Sequence, residues 1–225
     1  TPDSSWTGIA YNAFKDEGNE VSGTLYGSDE IIKKTFFGEI NLWLQNGASW
    51  TNEAWGEPPD AYFGEDFSES HLKRLGGGES ADKAGHIFQK PGEDEDSEGI
   101  NIRVDDYKGF TNIYYGHKEE KPTDILGGTF TVTKAQPGSG INLITDSKGL
   151  NVDSSKAADK NLASETLNAL ANKLFYTAYK NGETNLTGKV EIAEGLTTSA
   201  VAKKTGNISF KNGTGQGEYI YTPEE

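Results

Sequence analysis

Short runs of alternating apolar and polar residues recur along the chain, and each run leads into a turn rich in glycine, asparagine or aspartate. The eight clearest runs are residues 40–44, 100–104, 111–115, 129–132, 141–143, 189–192, 207–210 and 218–221. A period of two buries every second side chain of a β-strand, so each run predicts one short strand. Because the unit of strand and turn repeats, the pattern predicts an all-β solenoid whose coils stack on one another.

Two copies of a Ser-Trp-Thr triplet support the idea of a repeat. They occupy residues 5–7 and 49–51, an offset of 44 residues (49 minus 5). This offset corresponds to about two coils of a solenoid with roughly twenty-odd residues per coil. We therefore expect residues 1–225 to form one continuous unit, because each coil needs only its neighbours for stability.

Residues 56–98 interrupt this pattern. Glycine and proline at 56–60, three glycines at 76–78 and the acidic run 93–96 are typical of loops. Between them, residues 71–75 and 86–89 are long enough for one strand each. We interpret the region as a loop-rich insertion on one side of the stack, where binding specificity can reside.

The periodicity changes again between residues 157 and 179. Leu167, Leu170, Ala171, Leu174 and Ala178 follow the spacing i, i+3, i+4, i+7 and i+11, which predicts one apolar face of a helix. The Asn-Gly pair at 181–182 provides a helix stop, because both residues tolerate the left-handed conformation. We predict a lateral helix over 157–179 that covers the β-core. A partner-binding or membrane-surface helix is the alternative, although the polar face has no basic cluster.

The composition fits a thin core and narrows the classes of partner. Hydrophobic residues make up only 33% of the chain, and 28 glycines suit many tight turns. The formal net charge of −14 repels phosphate backbones, so we expect no nucleic-acid partner. The lack of cysteine excludes disulfides and thiolate metal sites. No apolar run of about 18 residues is present, so we expect no direct membrane insertion.

Several phrases of the sequence resemble passenger regions of bacterial autotransporter adhesins. They are residues 167–176, 185–197, 206–210 and 214–217, together with the Gly-Ala-Ser-Trp-Thr phrase at 47–51. The likeness covers residues 40–52 and 100–221, and its motifs are structural phrases without a catalytic signature. The chain begins at Thr1 and contains no methionine, no signal peptide and no barrel-like strands. The resemblance implies that the chain is an internal fragment of such a protein.

This resemblance implies a right-handed parallel β-helix with one lateral amphipathic α-helix and loop insertions. It also implies export and display at the bacterial cell surface, through an outer-membrane barrel that is not present in this fragment. The implied function is that of a non-enzymatic adhesin, which attaches to a protein or glycan of a host cell, a neighbouring cell or the matrix. Such a segment needs no cofactor.

A search for metal-binding patterns assigns no ligand set. His71, His86 and His117 are too few and too scattered for a metal motif, and packing or solvated roles fit them better. The acidic run from Glu93 to Glu98 offers oxygen ligands for calcium but lacks the EF-hand spacing. A solvated acidic loop and a calcium site are both compatible with this run.

The same search nominates no catalytic residue. Ser139 lacks the aspartate of the Gly-Asp-Ser-Gly context of protease passengers, which favours a turn. Parallel β-helices also host polysaccharide lyases and hydrolases, whose carboxylates project from one face of the stack. Asp105, Asp106, Asp124 and Asp146 lie near predicted strand ends, and a retaining pair needs about 5 Å between its carboxyl groups. Turn and strand-end roles suit these aspartates better, because aspartate binds local backbone groups.

Aromatic side chains are the best candidates for ligand contact. Trp43, Tyr107, Tyr114 and Tyr115 include positions on the predicted outward face of strands, where rings can stack on sugars or peptides. The alternative is packing in the core or at the edge of a β-structure. We thus predict a non-enzymatic adhesin segment. A carbohydrate-active enzyme and an inert stalk that extends a distal binding tip are the alternatives.

Overall fold

The structure, a computed structural model, describes residues 4–8, 10, 21–24, 31–34, 40–53, 69–92, 99–150, 157–182, 184–193 and 204–221. In these ranges the chain is mostly β-strand, with one α-helix, α1 (Ala157–Ala171), and a 3₁₀-helix at Ala81–Lys83. The strands are β1 (Ser5–Thr7), β2 (Val21–Thr24), β3 (Ile31–Lys34), β4 (Asn41–Trp43), β5 (Ser49–Asn52), β6 (Glu69–Gly76), β7 (Gly85–Gln89), β8 (Asn101–Lys108), β9 (Phe110–Lys118), β10 (Lys121–Leu126), β11 (Phe130–Ala135), β12 (Ser139–Thr145), β13 (Leu174–Tyr176), β14 (Leu186–Ile192), β15 (Lys204–Phe210) and β16 (Gly217–Ile220).

Two sheets account for most of these strands. The large sheet has nine strands, in the order β1-β5-β7-β9-β12-β14-β15-β16, with β10 paired to β9. The small sheet has five strands, in the order β13-β11-β8-β6-β4, and all of its pairs are parallel. From β4 to β9, and again from β11 to β14, the chain alternates between the small sheet and the large sheet. Strands β2 and β3 form a separate antiparallel pair.

The prediction of a right-handed parallel β-helix is wrong. The strands form two flat sheets, and the large sheet is mixed because β10, β15 and β16 run antiparallel to their neighbours. Only two residues join β9 to β10, and residues 211–216 join β15 to β16. Connections this short join antiparallel strands, since a parallel pair needs a crossover of a dozen or more residues. Alternation of apolar and polar residues does not show whether neighbouring strands run parallel or antiparallel.

The individual strand predictions are confirmed. Each of the eight alternating runs overlaps an observed strand, and the runs 71–75 and 86–89 lie in β6 and β7. The two Ser-Trp-Thr triplets are β1 and β5, which pair in parallel with Trp6 opposite Trp50. Their indole rings stack with centroids 5.4 Å apart and an interplanar angle of 11°. The triplets therefore mark adjacent strands of one sheet, not strands two coils apart.

One hydrophobic core lies between the two sheets. In the large sheet, register places one fully buried side chain on each of five successive strands, in the row Trp50, Ile87, Ile113, Leu143 and Val190. The small sheet contributes the corresponding row Leu72, Val104, Val132 and Tyr176. Each such side chain contributes about 1.5–3 kcal/mol through burial, so the two rows are a principal source of stability.

The helix is shorter than predicted. It ends at Ala171, and residues 174–176, which were expected to be helical, form β13 and pair with Phe130–Val132 of β11. A Leu-Phe-Tyr sequence is a good strand former, and pairing with a buried strand overrides the helical spacing. Leu167 and Leu170 are buried against the sheets, as predicted for a helix that covers the core. Asn181 and Gly182 form a turn with positive φ values of 54° and 82°.

Parts of the loop-rich region lie outside the described residues. These parts are residues 54–68 and the acidic run from Glu93 to Glu98, including its proposed calcium site. Gly76, Gly77 and Gly78, which were interpreted as loop, are buried residues at the end of β6.

A buried group of amide side chains connects the two sheets. Asn52 Nδ2 donates to Gln89 Oε1 at 2.7 Å and to the Ile100 carbonyl at 2.8 Å. Ser70 Oγ donates to Asn52 Oδ1 at 2.7 Å. Asn52, Ser70 and Gln89 are almost completely buried, so each hydrogen bond is made without competition from water. The group holds β5 and β7 of the large sheet against β6 of the small sheet.

The substitution Asn52→Ala should lower the free energy of unfolding by about 2–4 kcal/mol, because it leaves Ser70 and Gln89 with unpaired buried polar atoms. Urea denaturation followed by circular dichroism measures this change. Asn41→Ala, at an exposed position of β4, is the matched control and should change stability by less than about 0.5 kcal/mol. Equal effects of the two substitutions would contradict a stabilising role for the buried group.

Candidate functional site

Three successive connections from the small sheet to the large sheet lie side by side and are rich in glycine. They are residues 77–84 after β6, Gly109 after β8, and residues 136–138 after β11. Gly77 N donates to the Lys108 carbonyl at 2.7 Å, and Gly140 N donates to the Gly109 carbonyl at 2.9 Å. The connections therefore form a continuous, hydrogen-bonded floor.

Glycine is required in this floor because the backbones approach too closely for a side chain. A Cβ atom on Gly77 would lie 2.2 Å from the Phe110 carbonyl oxygen, and one on Gly78 would lie 1.7 Å from the Lys83 carbonyl oxygen. Gly109 has a φ of +86°, which other residues rarely adopt. The sequence thus produces a floor of closely packed backbone that no side chain fills.

Trp43 forms one wall above this floor. It pairs with Gly76 of β6, and Gly76 pairs in turn with Lys108 of β8, so the three residues form a row across the sheet. A Cβ atom on Gly76 would lie 1.9 Å from Trp43 Cε3, which means that the indole ring covers the glycine. Even so, 55% of the Trp43 surface remains exposed.

The resulting groove has a volume of about 350 Å³. Its lining residues are Trp43, Gln45, Gly76, Gly77, Gly78, Glu79, Lys108, Gly109, Phe110, Gln136, Pro137, Gly138 and Ser139. Small-molecule sites occupy about 300–1,000 Å³, so the groove is large enough for a small ligand or for one unit of a polymer. It combines two aromatic side chains, two amide side chains, the ammonium group of Lys108 and the carboxylate of Glu79.

A second aromatic surface lies on the outer face of the large sheet. Phe88 and Tyr114 stack with centroids 4.8 Å apart, and His86 Nδ1 lies 3.0 Å from the Tyr114 hydroxyl. Burial lowers the pKa of His86. Burial also raises the pKa of Tyr114, and the nearby Glu191 carboxylate adds to this increase, whereas a hydrogen bond with Asn112 opposes it. The side chains of His86 and Tyr114 are therefore both uncharged at neutral pH.

The four predicted ligand-contact residues have different surroundings. Trp43 is in the groove, and Tyr114 belongs to the outer aromatic pair on the other sheet. Tyr107 and Tyr115 are buried in the core, which agrees with the alternative of core packing and not with ligand contact. Tyr107 donates to the Gly140 carbonyl at 2.8 Å and Tyr115 to the Gly128 carbonyl at 2.9 Å. Burial raises the pKa of both tyrosines.

A chain of polar contacts crosses the outer face of the small sheet. Arg103 Nη2 lies 3.1 Å from His71 Nδ1, and His71 Nε2 lies 2.9 Å from Asp105 Oδ1. Arginine can only donate, so Nδ1 of His71 accepts and its Nε2–H donates to Asp105. Lys73 Nζ lies 3.6 Å from Asp105, and Arg103 Nε lies 3.0 Å from Glu69 as an ion pair without hydrogen-bond geometry.

The other residues considered for catalysis have separate partners. Asp124 Oδ1 lies 2.7 Å from Lys121 Nζ, and Asp146 Oδ1 lies 3.0 Å from Nε2 of the buried His117. Ser139 Oγ donates to the Gln136 carbonyl at 2.7 Å, which is consistent with the predicted turn. Asp105, Asp124 and Asp146 are thus held by different cationic or imidazole groups.

Among the described residues, no group of three or more histidine or carboxylate side chains is placed to hold a metal ion. Within the same ranges, no helix has both the length and the apolar character needed to cross a membrane.

Sequence reasoning missed most of the groove. The glycines 76–78 were interpreted as loop, and Lys108 and Phe110 were not singled out. The only sequence signal was the recurrence of glycine after 8-residue strands, which becomes meaningful once β6 and β8 are known to pair. Comparison with known protein families, with characterised proteins and with solved structures found no significant match.

The geometry of the groove predicts different effects for alanine substitutions at Gly76 and Gly78. Gly76→Ala should displace the exposed Trp43 ring and change stability by less than about 1 kcal/mol, because the ring can turn towards solvent. Gly78→Ala should cost about 2–3 kcal/mol, because its Cβ would meet backbone atoms. Denaturation curves give the stabilities, and tryptophan fluorescence of Gly76→Ala should shift to longer wavelength relative to the unchanged chain. An unchanged spectrum would show that the ring does not cover Gly76.

His86 should titrate below its ordinary pKa of 6.5, because burial disfavours the imidazolium. As the pH falls through 6.5, the unfolded chain takes up this proton more readily than the folded chain, so the contribution of His86 to stability is lost on acidification. NMR titration of the histidine ring protons measures the midpoint, and the spectrum of His86→Gln assigns the resonance. Tyr114→Ala should move the midpoint back towards 6.5. A midpoint at or above 6.5 would contradict this prediction.

Proposed function

We propose that this chain is a non-enzymatic binding segment of a bacterial cell-surface adhesin and that it attaches to glycans through the Trp43 groove. The proposal for cell-surface display, through an outer-membrane barrel of an autotransporter, is supported by the resemblance of residues 40–52 and 100–221 to passenger regions. The proposal for glycan binding is supported by the groove itself.

The exposed indole of Trp43 is the observation that carries the proposal. Its ring lies over Gly76 at the end of a floor of backbone, with 55% of its surface accessible. A flat aromatic ring offers an apolar surface for the C–H face of a sugar, while nearby amide groups bind hydroxyls. Gln45 and Gln136 supply such amides in the groove.

A purely structural role for Trp43 is the competing explanation. Phe110 covers Gly140 of the neighbouring strand, and Tyr219 covers Gly206, so this chain uses aromatic rings to cover glycines elsewhere. Phe110 and Tyr219, however, are only partly exposed, whereas Trp43 is among the most exposed large hydrophobic residues of the described ranges. A ring that only covered a glycine would gain from deeper burial.

Trp43→Ala should weaken glycan binding about 30-fold, because a central tryptophan contributes about 2 kcal/mol to an interface. Biolayer interferometry on a panel of immobilised plant, bacterial and animal glycans measures the affinity. Trp43→Phe, which keeps an aromatic ring, should lose only a few-fold. Trp6→Ala is the matched control, because Trp6 is also exposed but stacks on Trp50 away from the groove.

Retention of binding by a folded Trp43→Ala variant would contradict the proposal. The same samples test the enzymatic alternative through the release of reducing ends from each glycan. We expect no release. Release that Asp105→Asn or Asp124→Asn abolishes would favour a carbohydrate-active enzyme.

A further inference from the structure

The small sheet has a charge opposite to that of the whole chain. Strands β6, β8 and β11 contain five lysine or arginine residues and three acidic residues, a net charge of +2, whereas the chain has a net charge of −14. None of these eight side chains is buried. Because lysine and arginine side chains of this acidic protein are concentrated on one sheet, the electrostatic potential at that sheet differs from the one that the net charge predicts.

Three of the five cations have no ion-pair partner among the described residues. Lys73 is neutralised by Asp105, and Arg103 by Glu69. Arg74, Lys108 and Lys134 form no ion pair within the part of the chain that the structure describes. All three are exposed.

One of these cations lines the groove, and the other two precede lining residues on their strands. Lys108 lines it directly, Arg74 is two residues before the lining residue Gly76, and Lys134 is two residues before the lining residue Gln136. Register places Asp106 between Arg74 and Lys134, but it forms an ion pair with neither. Glu79 also lines the groove, but its carboxylate lies 3.6 Å from Lys83 Nζ. Among the described residues of this rim, Arg74, Lys108 and Lys134 therefore outnumber the unpaired Asp106.

The row of Trp43, Gly76 and Lys108 sets the distance between the ring and the nearest cation. Neighbouring strands are about 4.8 Å apart, so the backbone of Lys108 is about 10 Å from that of Trp43. Gly76 between them has no side chain, and the indole extends over it towards Lys108. A sugar ring stacked on the indole thus brings its substituents within reach of the Lys108 ammonium.

We propose that the ligand of the groove is an anionic glycan, with Lys108 binding the carboxylate of a uronic acid unit stacked on Trp43. This inference rests on the proposed function. Arg74 and Lys134 attract the neighbouring carboxylates of the polymer along the rim. The net charge of −14 does not prevent this, because salt screens charges beyond a Debye length of about 8 Å and leaves the rim cations dominant at the groove.

Polygalacturonic acid and its fully methyl-esterified form test the inference, because the two polymers share sugar rings and differ in charge. The protein without substitutions should bind polygalacturonic acid at least tenfold more tightly than the methyl-esterified polymer. Lys108→Gln should weaken binding of the acid about five- to tenfold and leave the ester unchanged. Arg74→Gln and Lys134→Gln should each cost about twofold, as expected for exposed charges. Lys148→Gln, an exposed lysine after β12, is the matched charge control and should have no effect.

The outcomes separate the two proposals. Equal binding of acid and ester that still requires Trp43 would overturn the anionic preference and leave glycan binding in place. Binding of neither polymer, with no glycan of the panel bound, would overturn both proposals. Dextran sulfate tests for adsorption of any polyanion. Binding of it as tightly as polygalacturonic acid, and equally by Trp43→Ala, would overturn the inference because charge alone would account for the affinity.

Discussion

Parallel pairing in register is the constraint on which the rest of this structure depends. It places one residue from each successive strand in a row, so that residues distant in sequence act as neighbours. The buried row from Trp50 to Val190 and the surface row of Trp43, Gly76 and Lys108 arise in the same way. A slip of one residue would turn every inward side chain outward. The hydrogen bonds of buried Asn52 oppose such a slip, because they fit only one alignment of the strands.

Local patterns were sufficient to predict where most strands lie but not how they assemble. Period-two alternation depends on burial of one face, which is the same in a parallel solenoid and in two packed sheets. The direction of β10 and of β16 depends on short connections, which the alternation does not encode. Residues 174–176 show the same limitation. Leu174 satisfies both a helical stripe and a strand, and its pairing with Phe130 determines the outcome.

The candidate site was predictable only in part, for related reasons. Tyr114 and Tyr115 are adjacent on one strand, so alternation requires that they point to opposite faces, but not which of them points outward. That choice depends on Ile113, whose buried position fixes Tyr115 as an inward residue. Trp43 could be proposed because it is an aromatic residue at a predicted outward position of a strand. The role of Lys108 could not, because it depends on pairing with Gly76, 32 residues earlier in the sequence.

Trp43 illustrates how a structural requirement can place a binding group. Among the described strands of the small sheet, β4 is at one edge, and an edge needs protection from pairing with other chains. A large ring over Gly76 protects that edge and covers a residue that has no side chain of its own. The same ring, left more than half exposed beside unneutralised cations, is well placed to stack on a flat, charged sugar. The edge therefore favours an aromatic residue at position 43, and the charge of the neighbouring strands sets the chemistry of the ligand that it can hold.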